Sequence, residues 1–313
     1  MFKIRRYTSD DAAEWNRFVA QSKNGTFLFN RGYMDYHADR FEDYSLMFSD
    51  SHGLCALLPA NKVGDTLYSH QGLTYGGVIV SEHAKTIDIR DIFILLNSYL
   101  AECGFRHVIY KHIPWIYAHV PSEEDLYALT MVCHASLKTR HVASVVDFSH
   151  RVPFCELRTR GVKKAQKEGI VIRELNDFTS FWHVLEDNLS QRFSAHPVHS
   201  INEISLLKQR FPDRIRLFAA IKDERILGGA VLYQCGQTIK TQYISADEEG
   251  KQLGVLDLLF DRLLCLFSQE DIRYFDFGTS NGTDDGSINE GLIFQKEGFG
   301  GRAVSYDTYE WNL

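Results

Sequence analysis

The chain has 313 residues, enough for two domains of ordinary size, and its 44% hydrophobic and 24% charged residues are typical of a globular protein. A net charge of −7 excludes an overall basic field that would draw the protein onto nucleic acid or an anionic membrane. No apolar run reaches the length of a membrane span, and the N-terminus lacks the apolar core of a signal peptide. The six cysteines are scattered without a Cys-x-x-Cys pair, so we expect a cytoplasmic protein with reduced thiols.

Apolar periodicity divides the first half of the chain into a regular series of elements. A helix is predicted at 11–22, for example, because Trp15, Phe18 and Val19 share one face and Asp10 can cap it. The predicted strands of this half are 2–7, 44–49, 54–63, 66–80, 107–112 and 137–148. The other predicted helices are a short aromatic-rich one within 24–41, and 87–103 and 122–133.

The second half repeats this order. Its predicted strands are 169–175, 215–221, 225–234, 239–246, 272–277 and 303–311. Its predicted helices, besides a basic one at the start, are 177–193, 201–211, 255–267 and 288–294. The two halves are offset by roughly 165 residues and share little identity, which indicates an architectural repeat. We therefore predict two domains, 1–150 and 151–313, with the boundary near 150–155.

The stretch 238–281 combines a strand, an acidic turn with two glycines at 248–254, a long apolar helix and a second strand. The turn is expected to be a tight loop, and the helix that follows it is apolar on most of its faces, which predicts burial. A loop that leads into a helix presents free backbone N–H groups and the positive end of the helix dipole. Both suit a pyrophosphate or a carboxylate.

Residues 250–259, GKQLGVLDLL, resemble the acyl-CoA pyrophosphate loop and helix of the GNAT acyltransferases, whose pattern is Gln/Arg-x-x-Gly-x-Gly/Ala. Gly254 stands for the middle glycine and Lys251 for the Gln or Arg. Leu256 replaces the last small residue, a departure typical of FemAB-like relatives. The resemblance implies a donor site that consists of Gln242, Lys251, Gln252, Leu253, Gly254 and Val255. The alternative is a plain loop before a core helix.

The order of elements is similar to the GNAT fold, and its duplication is similar to FemAB-like proteins, over nearly the whole chain. The resemblance implies an α/β (α+β) fold with a mixed sheet, in which two tandem GNAT-like domains share a cleft. The donor would bind the second domain, because the first has no glycine turn before its long helix. The first domain would then shape the acceptor side.

A basic segment, ELRTRGVKKAQKEG, opens the second half and resembles the basic helix at this position in FemAB-like proteins. Arg160, Lys163, Lys164 and Lys167 recur at i, i+3, i+4 and i+7 and so share one helix face. Such a face suits the phosphates of a nucleotide-linked or lipid-linked acceptor, or of a tRNA end. The alternative is a solvated helix face.

The C-terminal segment FQKEGFG, 294–300, resembles the lysine-containing segment near the end of FemAB-like enzymes. By this resemblance Lys296 would stabilise the tetrahedral oxyanion or hold a phosphate. Glu297 is a candidate to deprotonate the incoming amine, although water could do the same. Asn289 would lie at the rim of the same cleft. The alternative is a surface lysine at the end of a helix.

Acceptor-binding candidates come from three other segments. SHQGLTYGG, 69–77, places polar side chains between glycines, which let a backbone approach a ligand closely. The matching region of FemAB-like proteins lies against the acceptor. The candidates are His70 for catalysis, and Gln71, Tyr75, Lys111, Tyr117, Arg192 and His196 for binding. The spacing of His196 and His199 does not favour a zinc site, and no metal is expected.

These features together predict an N-acyltransferase without a covalent intermediate. The implied donor is acetyl-CoA or another acyl-CoA, and the implied acceptor is an amine of an amino sugar or amino-acid precursor of cell-wall or surface polysaccharide. One alternative is a peptidoglycan-type enzyme that takes its acyl group from aminoacyl-tRNA, although no heptad stretch for a tRNA-holding coiled coil is present. The other is a non-catalytic binding protein. We expect a small-molecule, lipid-linked or nucleotide-linked partner and no DNA.

Overall fold

A computed structural model describes residues 2–193, 195–282 and 286–313, except for the side chains of residues 192 and 193. The chain forms two compact units, one of Met1–His141 with Ser305–Leu313 and one of Val142–Val304. The helices and strands mix in both units, as the α/β prediction requires. Among the described residues, every helix is too short or too polar to span a membrane.

The regular elements of the described residues follow in chain order. The strands are β1 (Lys3–Arg6), β2 (Glu42–Asp43), β3 (Leu46–Asp50), β4 (Gly53–Leu58), β5 (Asn61–Val63), β6 (Thr66–Tyr68), β7 (Ile79–Val80), β8 (His107–Lys111), β9 (Ser136–Asp147), β10 (Val171–Leu175), β11 (Ile215–Lys222), β12 (Arg225–Cys235), β13 (Thr238–Ala246), β14 (Tyr274–Thr279) and β15 (Arg302–Asn312). The α-helices are α1 (Ala12–Gln21), α2 (Arg31–Met34), α3 (Thr86–Glu102), α4 (Glu124–Met131), α5 (Glu156–Lys167), α6 (Thr179–Phe193), α7 (Ile201–Arg210), α8 (Glu248–Leu253), α9 (Val255–Phe267) and α10 (Glu290–Gly298).

The first unit contains two groups of strands. One is a sheet in the order β1-β3-β4-β7, and the other follows the order β15-β8-β6-β5-β2. Helix α3 presents Ile89, Phe93 and Leu96 to the core at helical spacing, and these side chains pack with Leu46 and Phe48 of β3.

The second unit has its strands in the order β10-β11-β12-β13-β14-β9. Neighbouring strands are antiparallel except for β13 and β14, which are parallel and are connected through α8 and α9. Phe260 and Phe267 of α9 pack with Phe218 of β11 and Phe275 of β14. The long apolar helix predicted from the sequence therefore lies in the core of this unit.

Three local predictions were wrong. Segment 66–80 was expected to hold a strand broken by glycines, but only its two ends are strands, β6 and β7, and residues 69–78 form a loop. Segment 248–254 was expected to be a tight loop, but residues 248–253 form α8, because the Asp247 carboxylate accepts a hydrogen bond from the N–H of Gly250 (2.6 Å) and caps a helix. Segment 54–63 was expected to be one strand. It is two, β4 and β5, and the chain breaks at Pro59, which has no N–H to donate to a ladder.

Candidate active site

Strands β13 and β14 separate partway along their length. They pair in parallel only from Thr238 with Tyr274 to Lys240 with Asp276, although β13 continues for six more residues, to Ala246. On its other edge β13 carries a bulge at Gln242, where the partner register on β12 shifts by one residue. Beyond Lys240, β13 is therefore no longer paired with β14, and we call this region the strand fork.

A cavity of about 420 Å³ lies at the strand fork. Its apolar lining comes from Ile244 of β13, Phe277 of β14, Leu256 and Phe260 of α9, and Leu292 of α10, with Phe299 just beyond α10. Its polar lining comes from Asn188, Ser245, Lys251, Asn289, Gln295 and Lys296. A mostly apolar cavity with a few convergent polar groups has the character of a small-molecule site.

Lys296 brings a buried cation to this cavity. Its side chain is 5% exposed, and its ammonium donates hydrogen bonds to the carbonyl oxygens of Gly278 (2.9 Å) and Thr279 (2.7 Å) at the end of β14. Burial lowers the pKa of Lys296 to about 8, while the Asp276 carboxylate opposes this change and Lys240 adds to it. The residue that the sequence resemblance selected thus lies at the strand fork.

Lys240 and Asp276 were not among the candidates predicted from the sequence. Both are buried, and they face each other as the last pair of the parallel ladder. The Lys240 ammonium donates to the side-chain oxygen of Gln242 (3.2 Å), and burial lowers the pKa of Lys240. A charged residue inside each of two predicted strands was the available signal, but the sequence does not show that the two strands pair.

The junction of α8 and α9 is the segment that resembles a pyrophosphate loop. Gly254 has φ of 77°, ends α8 and starts α9. A Cβ there would lie 2.9 Å from the carbonyl oxygen of Gly161, so α5 packs directly on the start of α9. Arg158 of α5 also forms an ion pair with Asp257 in the first turn of α9 (2.9 Å). The start of α9 is therefore covered by α5.

The predicted donor residues are distributed around this junction. The Lys251 ammonium lines the cavity but donates to the side-chain oxygens of Asn188 (2.6 Å) and Glu248 (2.7 Å). Gln252 is exposed, whereas the Val255 side chain is buried in a small core between α5 and α9. Leu253 packs at the edge of that same core. Any contact from Val255 to a ligand would come from its backbone.

The basic face of α5 is exposed. Val162 and Ala165 bury the opposite face, so the four cations project into solvent, and Arg160 lies 3.9 Å from the exposed Glu156. These cations are Arg160, Lys163, Lys164 and Lys167. Both sequence interpretations, a phosphate-binding face and a solvated face, are compatible with this exposure.

The acceptor candidates of the first unit cluster around loop 69–77. The Lys111 ammonium donates to the carbonyl oxygens of His70 (3.3 Å), Gln71 (3.2 Å) and Leu73 (2.7 Å), and burial lowers the pKa of Lys111 to about 8. His70 has φ of 62°, a value that residues other than glycine adopt only where the surrounding structure holds them in it. Burial lowers the pKa of His70 to about 3, so its imidazole is uncharged at neutral pH.

Tyr75 and Tyr117 also meet within the first unit. Their ring centroids are 4.4 Å apart, and both side chains are buried. The hydroxyl groups of Tyr117 and Tyr306 are 2.8 Å apart, and that of Tyr75 donates to Thr26 (3.2 Å). The structure therefore brings two of the predicted binding residues together, with their hydroxyl groups engaged inside the unit.

The remaining candidates have different surroundings. Asn289 lines the cavity and caps α10 by accepting from the N–H of Leu292 (3.0 Å). Glu297 and His196 are exposed, and the side chain of Arg192 lies outside the described residues. Within the described ranges, no group of three or more His, Cys, Asp or Glu residues is arranged to hold a metal ion.

Comparison with known proteins connects this geometry to a family. Residues 158–285, which include the strand fork, match the model of the acetyltransferase (GNAT) domain. No curated protein matches the chain. Among solved structures, the chain is similar to FemX, with a TM-score of 0.71 and 10% identity over 99% of this chain and 97% of that chain.

Two further solved structures share the fold. The C-terminal domain of a protein described as a lysylphosphatidylglycerol synthetase from Agrobacterium fabrum has a TM-score of 0.62 and 12% identity, with 96% of this chain and 91% of that chain covered. A tandem GNAT protein from the clavulanic acid biosynthesis pathway has a TM-score of 0.52 and 11% identity, with 100% and 98% covered.

The fold and the matched domain define the class of this protein as an acyltransferase with the GNAT fold. Over its whole length the fold is that of FemX and of a tandem GNAT protein. Residues 158–285 are thus similar to the GNAT acetyltransferase domain, within a chain that shares its fold with FemX. The fold class and the enzyme class predicted from the sequence are confirmed, while the roles of individual residues stay predictions.

Proposed function

We propose that the protein is an N-acyltransferase that moves an acyl group from acyl-CoA to an amine of an amino sugar or amino-acid precursor of cell-wall or surface polysaccharide. The strand fork is the observation that supports the proposed binding of the acyl donor. Beyond Lys240 and Asp276 the two strands no longer pair, and the cavity between them is large enough for an extended acyl arm. The arm would lie along the edge of β13 that β14 leaves open.

The chemistry would be a direct attack of the amine on the thioester carbonyl, with CoA thiolate as the leaving group. An ammonium has three N–H groups, and Lys296 directs two of them to the carbonyls of Gly278 and Thr279. The third is then available to the oxyanion that develops on the acyl carbonyl, beside a buried cation. The amine loses its proton to water or to Glu297, and positioning supplies much of the rate.

Phosphate recognition would use the exposed cations of α5. Four like charges on one helix face, in a protein with a net charge of −7, concentrate positive potential where an anionic group of a donor or acceptor would bind. One protein that shares this fold is described as a lysylphosphatidylglycerol synthetase. A nucleotide-linked or lipid-linked acceptor fits the same face. Assignment of the donor side to 151–313 and of the acceptor side, with His70, to 1–150 stays a prediction.

One observation favours a second candidate donor, aminoacyl-tRNA. In the arrangement described, α5 lies against the start of α9, and Gly161 occupies the space beside Gly254 where a pyrophosphate would approach the helix N-terminus. An aminoacyl ester needs the acyl cavity but not a pyrophosphate on α9. Its phosphates would instead meet the basic face of α5.

The deciding experiment supplies the protein with radiolabelled acetyl-CoA or radiolabelled aminoacyl-tRNA, together with a panel of amino-sugar nucleotides and amino acids. Transfer from acetyl-CoA that is lost in Lys296→Met supports the proposed function. Transfer from aminoacyl-tRNA alone establishes the second candidate. Micromolar binding of CoA by calorimetry would exclude the non-catalytic alternative, a binding protein that has lost the donor site.

The basic face is tested separately. Lys163→Gln/Lys167→Gln should weaken binding of the productive donor or acceptor, and the loss should be greater at 50 mM than at 200 mM salt, since phosphate contacts depend steeply on salt. The matched control is Lys3→Gln/Lys85→Gln, which removes two exposed lysines of the other unit. Equal loss in both variants would show a general effect of net charge.

A further inference from the structure

Three buried charges meet at the strand fork, each on a different element. Lys240 lies on β13, Asp276 on β14 and Lys296 on α10, and they are 7%, 0% and 5% exposed. Lys240 and Asp276 are Cα partners at the last rung of the parallel ladder. Buried ionised groups are costly unless paired, so two cations that share one carboxylate require a structural or chemical reason.

Asp276 also shapes the backbone that holds Lys296. Its Oδ1 accepts a hydrogen bond from the N–H of Gly278 (2.6 Å), which has φ of 72°. The carbonyl oxygens of Gly278 and Thr279 in turn accept the two hydrogen bonds from the Lys296 ammonium. One carboxylate thus organises the turn whose carbonyls orient the lysine.

The charged groups around Lys296 come from every element packed near α10. Asp276 of β14 attracts its ammonium, and Lys240 of β13 repels it. Among the described residues, the other charges near α10 are paired or face solvent: Arg158 of α5 with Asp257 of α9, Lys251 of α8 with Glu248, and the exposed Glu290 and Glu297 of α10 itself. Asp276 and Lys240 are therefore the two groups that act on Lys296 with opposite sign.

We propose that Asp276 is a positioning residue for Lys296, which orients it through the Gly278–Thr279 turn and shares its negative charge between Lys296 and Lys240. In this arrangement the positive charge of Lys240 competes with Lys296 for the Asp276 carboxylate. The Lys296 ammonium is therefore only partly neutralised and is able to donate to a developing oxyanion. The functional meaning of this inference rests on the proposed acyl transfer, but the electrostatic arrangement itself does not.

The test measures the pKa of Lys296 directly, by NMR titration of protein labelled at the lysine side chains, with the signal assigned from Lys296→Arg. Asp276→Asn keeps an oxygen for the N–H of Gly278 and removes the charge, so the pKa of Lys296 should fall by about one unit or more. Lys240→Met removes the repulsion, so the same pKa should rise. As a control, Glu290→Gln removes an exposed carboxylate of α10 and should leave the pKa of Lys296 unchanged.

Opposite shifts of the Lys296 pKa in the two variants support the proposal, because substitutions that only disturb the structure would not shift this pKa in opposite directions. No shift in either, or shifts of the same sign, would overturn it. Thermal unfolding checks that each variant is folded, and if Asp276→Asn does not fold, the rise expected in Lys240→Met still decides. Because no substrate is needed, opposite pKa shifts in a protein that transfers no acyl group would refute only the proposed function.

Discussion

Replacing Lys296 by methionine should change how the stability of the protein depends on pH. Burial lowers the pKa of Lys296 from its ordinary value of 10.5 to about 8. The unfolded chain therefore holds this proton more tightly than the folded chain, so the ammonium destabilises the fold below pH 8. That penalty disappears as the pH rises from about 8 towards the pKa of the unfolded state. The full penalty is about 3 kcal/mol, of which about 2.5 kcal/mol is lost between pH 7 and pH 10.

The measurement is urea unfolding of the wild type and of Lys296→Met at pH values from 7 to 10. The free energy of unfolding of the wild type minus that of the variant should rise by about 2.5 kcal/mol over this range. The variant also leaves the carbonyls of Gly278 and Thr279 without this donor. That cost does not depend on pH, and it shifts the difference by a constant.

The control is Lys164→Met, which removes an exposed ammonium of α5. Its difference from the wild type should stay flat, since that ammonium is in water in both states. A flat difference for Lys296→Met as well would refute the reasoning. It would mean that the Lys296 ammonium is hydrated in the folded protein, and both the oxyanion role and the shared charge of Asp276 would then lose their basis.

Three further predictions concern the same unit. Gly161→Ala should destabilise the protein by about 2 kcal/mol or more in thermal unfolding, because its Cβ would lie 1.8 Å from a carboxylate oxygen of Asp257. Arg158→Met should cost about 3 kcal/mol at pH 7, since it leaves the buried Asp257 carboxylate without its cation. That cost should shrink towards pH 4, because burial raises the pKa of Asp257 and protonation removes the charge. Finally, kcat/KM should fall as the pH rises through about 8, where the Lys296 ammonium loses its proton.

Each of these predictions has a control or an opposite outcome. Gly291→Ala, where the nearest atom would be 3.6 Å from the new Cβ, should change stability by no more than about 0.5 kcal/mol. An equal loss of stability in both glycine variants would contradict the close approach of α5 to α9. A cost of Arg158→Met that is the same at pH 4 and pH 7 would show that the Asp257 charge is not what the arginine compensates. Activity that does not fall above pH 8 would contradict a role for the charged Lys296 ammonium at the oxyanion.

Local patterns in the sequence were sufficient for most elements. The bounds of α9 agree with the prediction at both ends, since a mostly apolar run begins after Gly254 and stops at the polar residues that follow Phe267. The architectural repeat and the resemblance of 250–259 and 294–300 led to the correct fold and enzyme class, and to Lys296 as a candidate. These inferences depend on the order and period of residues, which the chain itself carries.

The helix at 248–253 shows where a local signal was present but weak. Asp247 and the acidic residues after it are typical of a helix N-terminus, yet α8 has only six residues, too few to show an apolar period. The chain alone therefore did not distinguish a short capped helix from a turn.

Only the tertiary structure decided what surrounds Lys296. Lys240 and Asp276 are 36 positions apart, and a parallel pair formed through a crossover leaves no trace of its register in either strand. The same holds for Gly161 and Gly254, whose close approach covers the start of α9. The sequence determined the elements and the family, because those follow from local periodicity and motif. The partners of a buried charge depend on long-range pairing, and their protonation depends on burial, so both became visible only with the folded chain.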